Sequence, residues 1–194
     1  MQPANPAPNA SPMESAIGCL KGEHSSYAIA LKSLVAHLDF ARRHPHAPRL
    51  EVFTAGLDFI ETFIDHFHHP KEDELLFKAL RHRSREADEV LRELQYDHAH
   101  AESTLSKLKS SLQHVLSHGV ATLDVFGESL EHYKRGQFAH MDLEENGVIP
   151  LARRLLTQED WRDIDRGFRA NRDPLFGAVR GGKFGALFNA GTAG

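Results

Sequence analysis

A lone histidine, followed some forty residues later by a histidine and a glutamate four positions apart, is written twice in this chain. His24 precedes His68-His-Pro-Lys-Glu72 by 44 residues, and His98 precedes His140-Met-Asp-Leu-Glu144 by 42. Residues four apart on an α-helix lie on one face, so each pair can address a single point in a core. The doubled pattern therefore asks for four helices gathered around six polar side chains. With 14 histidines in 194 residues, chance alone supplies about one His-x-x-x-Glu. The chain has four, at His68/Glu72, His82/Glu86, His98/Glu102 and His140/Glu144. The shared register of two of them, each with its upstream histidine, marks a duplicated helix hairpin.

Apolar periodicity supplies the helices. Leu20, Tyr27, Leu31, Leu34 and Leu38 recur at helical spacing between Met13 and Arg43, and His24 falls on their stripe. The prolines of His44-Pro-His-Ala-Pro48 end this first helix. A second helix runs from about Leu50 to Leu80, its line Phe53, Leu57, Ile60, Ile64 leading to His68, Glu72 and Leu76, with a local kink expected at Pro70. The third carries Leu91, Leu94, His98, Ala101, Leu105, Leu108, Leu112 and Val115 on one face and stops at Gly119. The fourth, from about Thr122 to Leu156, reads Leu123, Phe126, Leu130, Tyr133, Gln137, His140, Glu144, Val148 and Leu151. Thr157 to Asp160 resembles a capping box that opens a short helix packed through Trp161, Ile164 and Phe168.

The expected fold is all-α: an up-down-up-down four-helix bundle over residues 13–156, an accessory helix at 157–170 and a glycine-rich tail at 171–194. Residues 1–12 read as a disordered leader without a basic, apolar secretion signal. The tail keeps Leu175, Phe176, Val179, Phe184, Leu187 and Phe188, and is expected to dock on the bundle. A net charge of −4 with interspersed signs offers no basic field, so neither nucleic acid nor a membrane surface is an expected partner. The single cysteine, Cys19, fits a reducing compartment, and a cytoplasmic location is expected. No protein partner can be read from the sequence.

Burying Glu72 and Glu144 requires compensating charge, and no lysine or arginine shares their inner lines. Metal ions provide it. Imidazole and carboxylate without thiolate suit iron, manganese or zinc, and two glutamates that can bridge favour a dinuclear centre. His66, His69 and His100 flank the candidate ligands but point to other faces and read as surface residues or as groups behind the ligands, while Tyr27, Tyr133 and Gln137 are candidates for donors behind the metal. His114 and His118 read as surface residues at a helix end.

The stretches FHHPKEDELLF, YDHAHAE and HMDLEENGVIPLARRLL resemble the hemerythrin-like, or HHE cation-binding, domains, over about residues 15–156. The resemblance implies a four-helix bundle around two non-haem irons, His24 and His68 serving one, His98 and His140 the other, with Glu72 and Glu144 bridging. The oxygen-carrying members place a fifth histidine four residues after the first ligand of the third helix, where this chain has Glu102. Glu102 is accordingly expected to ligate the second iron or to hydrogen-bond a group on it, which argues against reversible oxygen carriage. The expected function is binding of, or reaction with, a small diatomic or peroxide ligand (oxygen, nitric oxide or peroxide), in sensing or in protection from oxidative or nitrosative stress. Two alternatives stand beside it: iron storage or iron-responsive binding without turnover, and an interaction module with a structural metal site.

Overall fold

The computed structural model describes residues 10–170, and all regular structure among them is helical. Most of the leader and the whole tail, including its expected docking, lie outside the described residues. Helix α1 spans Pro12–Arg43; the Ser11 hydroxyl caps it by accepting the Glu14 amide at 3.2 Å, and proline occupies the first turn, where no amide is needed. Helix α2 occupies residues 51–83, α3 is Asp88–His118, α4 occupies residues 123–155, and α5 is Gln158–Ala170. Short 3₁₀ turns, Arg85–Ala87 and Val120–Thr122, join α2 to α3 and α3 to α4. Gly119 ends α3 with φ 85, a conformation costly for any residue with a Cβ. Helices α1 to α4 each pack beside the next, and α4 returns against α1. No helix among the described residues is long and apolar enough to cross a membrane.

The kink expected at Pro70 takes a particular form. Helix α2 widens into π-helix at Ile60–His68 and again at Glu72–Phe77, on either side of a single α turn, His69–Lys71. A proline inside a helix removes one amide and crowds the carbonyl four residues back, and wider turns relieve that crowding. Helix α4 does the same at Glu144–Val148, just before Pro150. Each glutamate of the repeated pattern thus opens a π-helical stretch.

The apolar residues form two clusters. One gathers Tyr27, Leu31, Leu34, Phe53, Ile60, Phe63, Leu105, Phe126 and their neighbours; the other gathers Ile17, Leu20, Leu76, Phe77, Leu91, Val148, Trp161 and theirs. On α1, α2 and α4 the histidines and glutamates fall between members of the two clusters, so they form a polar layer across an otherwise apolar interior. Helix α5 covers the second cluster, packing on α1 and burying Trp161, Ile164 and Phe168. At roughly 1.5–3 kcal/mol for each such side chain, this burial holds α5 in place. Its cap is reciprocal: Asp160 Oδ2 accepts the Thr157 amide at 2.8 Å, and the Asp160 amide donates to Thr157 Oγ1 at 3.3 Å. Arg83 at the end of α2 grips the same carboxylate with two hydrogen bonds of 2.8 Å.

Candidate metal centre

Six of the seven residues expected to bind metal converge. His24 from α1, His68 and Glu72 from α2, His98 from α3, and His140 and Glu144 from α4 have side chains only 1–5% exposed. They fall into two overlapping groups whose ligand atoms lie within 4.8 Å of one another: His24, His68, Glu72, Glu144, and Glu72, His98, His140, Glu144. The two glutamates are common to both. His24 Nε2 stands 3.1 Å from Glu144 Oε2, His68 Nε2 3.3 Å from Glu72 Oε1, and His140 Nε2 3.4 Å from Glu144 Oε1. His98 Nε2 and His140 Nε2 are 3.1 Å apart. Two nitrogens bound cis to one ion through bonds of about 2.1 Å lie about 3 Å apart, so this spacing fits a shared metal.

Behind each histidine stands a carboxylate. His68 Nδ1 meets Glu23 at 2.8 Å, His24 Nδ1 meets Glu145 at 2.9 Å, His98 Nδ1 meets Asp73 at 3.0 Å, and His140 Nδ1 meets Asp97 at 3.1 Å. A carboxylate at Nδ1 makes that nitrogen the donor and turns the Nε2 lone pair inward. Four Nε2 atoms and four carboxylate oxygens then crowd one buried volume. His24 Nε2 and both oxygens of Glu72 and of Glu144 are buried without a hydrogen bond, a set of orphaned atoms that only cations satisfy together. The donor set of the centre fits iron, manganese or zinc.

The charges around the centre follow the same logic. Burial opposes protonation of His24, yet Glu144, Glu145 and Glu72 outweigh it and hold its pKa well above the ordinary value. His140, likewise opposed by burial, is raised to about 10 by Asp97 and Glu144. Burial would raise Glu144, but His140 and His24 pull it well below the usual carboxylate range. In the metal-free chain protons therefore do part of a metal's work. The one buried lysine among the described residues, Lys71, is committed elsewhere: it pairs with Glu23, which is lowered to about 2 because His68 and Lys71 overcome its burial.

A match to the hemerythrin HHE cation-binding domain covers residues 20–152. The chain belongs to the hemerythrin HHE cation-binding family. No curated protein and no solved structure matches it. In this HHE chain, Glu102 stands apart from the six convergent residues: it is exposed and lies outside both groups. The inner line of α3 passes through His98, Ala101 and Leu105, and the residue after Ala101 is carried outward. Glu102 instead lines a cleft of about 520 Å³ between α2 and α3, with Glu61, Asp65, His69, Gln95 and His98.

His69 is not a surface residue. It is 6% exposed, stacks on His98 with ring centroids 4.1 Å apart, and groups with His98 and His140. Burial, followed by the neighbouring His98, His68 and His140, lowers its pKa well below the ordinary value. His66 and His100 are exposed, as are His114 and His118, whose rings stack on each other. Tyr27 and Tyr133 are buried with their hydroxyls hydrogen-bonded together at 2.9 Å. The four outer carboxylates escaped the sequence reading, although a signal was there. Glu23 precedes His24 as Asp97 precedes His98, and Asp73 follows Glu72 as Glu145 follows Glu144. The repeat is longer than its ligands.

Proposed function

We propose that the four long helices form an up-down-up-down bundle holding two non-haem irons, and that this centre binds or reacts with oxygen, nitric oxide or peroxide in sensing or stress protection. The observation that carries the reading is the double carboxylate–histidine arrangement around two glutamates whose four oxygens lack any other buried partner. Two irons would supply one-electron redox chemistry toward such ligands. The chain's own part is to orient and to insulate. His24, His68, His98 and His140 would present neutral Nε2 atoms, Glu72 and Glu144 would span both ions, and the two apolar clusters would keep water from the layer between them. The cleft between α2 and α3 reaches His98 and is wide enough for a diatomic molecule. The single cysteine supports a cytoplasmic setting.

Anaerobic reconstitution with ferrous iron, metal analysis and absorption spectra after adding oxygen, nitric oxide or peroxide test the proposal. We expect about two irons per chain, as six ligands that share two glutamates require. His68→Ala and His140→Ala should each lose iron. Wild-type protein that holds no iron, or one ion indifferent to both substitutions, would overturn the dinuclear reading, and spectra unchanged by all three additions would overturn the small-ligand role.

A further inference from the structure

His69 has no counterpart in the second half of the repeat. His68 corresponds to His140, so the residue after it corresponds to Met141, a buried apolar side chain. A buried imidazole ordinarily has both nitrogens accounted for. Here the carboxylate beside it, Asp65, stands 3.7 Å from Nδ1, beyond hydrogen-bonding range but on the side that leaves Nε2 free. The ring stacks on His98 with an interplanar angle of 19° and meets His140 edge-on at 5.6 Å. One of its ligand atoms lies within 4.8 Å of those of both His98 and His140, the same closeness that holds within each group of four. It also lines the cleft that reaches His98, so the position is open to an incoming ion.

We infer that His69 is a fifth imidazole of the centre, binding the metal held by His98 and His140. The inference rests on the dinuclear reading above. It gives the two ions unequal shells: His24, His68, Glu72 and Glu144 would surround one, and His69 would join the other through His98 and His140, which also group with Glu72 and Glu144. The third imidazole comes from α2, across the α2–α3 seam, and the residue one turn after His98 is left free of the metal.

Two substitutions separate ligation from packing. His69→Phe keeps a flat ring stacked on His98 and removes both nitrogens; His69→Ala leaves a cavity that added imidazole can fill. Ferrous iron binding is followed anaerobically by competition with a chromophoric chelator, and the mean imidazole count per iron by X-ray absorption. In both variants the weaker iron should be lost roughly 10- to 100-fold more readily, as when a residue that holds a metal ligand is removed. The imidazole count per two irons should fall from five to four, and free imidazole should restore binding to His69→Ala but not to His69→Phe. If His69→Phe binds both irons like wild type with the count unchanged, His69 only packs and this inference fails while the dinuclear reading stands. Wild-type protein that binds no iron overturns both.

Discussion

Replacing Lys71 by methionine separates the support of the centre from the centre itself. Lys71 and Glu23 have side chains 2% and 4% exposed, and the carboxylate also takes the His68 Nδ1 proton at 2.8 Å. Removing one partner of a buried ion pair typically costs about 3–5 kcal/mol, because the other charge stays buried. For a domain of this size 1 kcal/mol moves the midpoint by roughly 2–4 °C, so Lys71→Met should lower the melting temperature of the metal-free protein by roughly 6–20 °C. Adding Glu23→Leu removes the stranded charge, and the double variant should regain at least half of that loss. It should not regain iron affinity, because His68 has then lost the group that orients it; a weakening of roughly 10- to 100-fold is expected. Thermal unfolding of the metal-free proteins and chelator competition of the iron-loaded ones measure the two effects. A Lys71→Met shift below about 3 °C would show that the pair carries no buried charge worth compensating. A double variant that binds iron as tightly as wild type would show that Glu23 does not hold His68.

Other outcomes follow from the same geometry. Because His24 and His140 are held protonated in the metal-free chain, loading the centre near neutral pH should release about two protons, measurable with an indicator dye in weak buffer, and affinity should fall as the pH is lowered. Asp65 is raised to about 6, by burial first and then by Glu61 and Glu102 against His66 and Lys109. The folded chain thus holds a proton there more readily than the unfolded one, so the residue destabilises most above that pH and the cost vanishes on acidification. Asp65→Asn should stabilise the metal-free protein by about 1–2 kcal/mol at pH 8 and by nothing below about pH 4, in urea unfolding across pH. Glu102→Gln should leave iron content unchanged, and a lost iron would return that residue to the ligand set. Asp160→Ala should cost about 1 kcal/mol by removing the cap of α5, and a chain equally stable without it would mean that α5 needs no such cap.

How far the sequence could be read depended on whether a residue's role was decided along one helix or between two. His24, His68, Glu72, His98, His140 and Glu144 lie on inner lines that periodicity alone traces, and all six come together in the two overlapping groups. Pro70 announced a disturbance in α2, since the missing amide is local; that the helix would answer by widening into π turns depended on what packs around it. His69 is one residue, about 100° on an ideal helix, away from the inner line, and reads as outward until α3 is placed against that side. Glu102 shows the converse. Spacing from His98 alone puts it inside, whereas the whole line through Ala101 and Leu105 puts it out. The outer carboxylates were hidden because each serves a histidine on another helix, and no periodicity within one helix reports a partner on the next.

The way those carboxylates are shared says what the two halves of the chain are to one another. Glu23 serves His68 and Asp97 serves His140, each within its own half; Asp73 serves His98 and Glu145 serves His24, each across to the other. Exchange the halves and the scheme maps onto itself, the relation that holds across the interface of a two-fold homodimer. Neither half alone supplies either group of four donors: each group takes three residues from one half and one from the other. The turn at Arg85–Ala87 joins the two halves in one chain, and one half carries His69 where the other carries Met141. A dimer of two identical hairpins would have to make any such choice twice; a single chain can make it once.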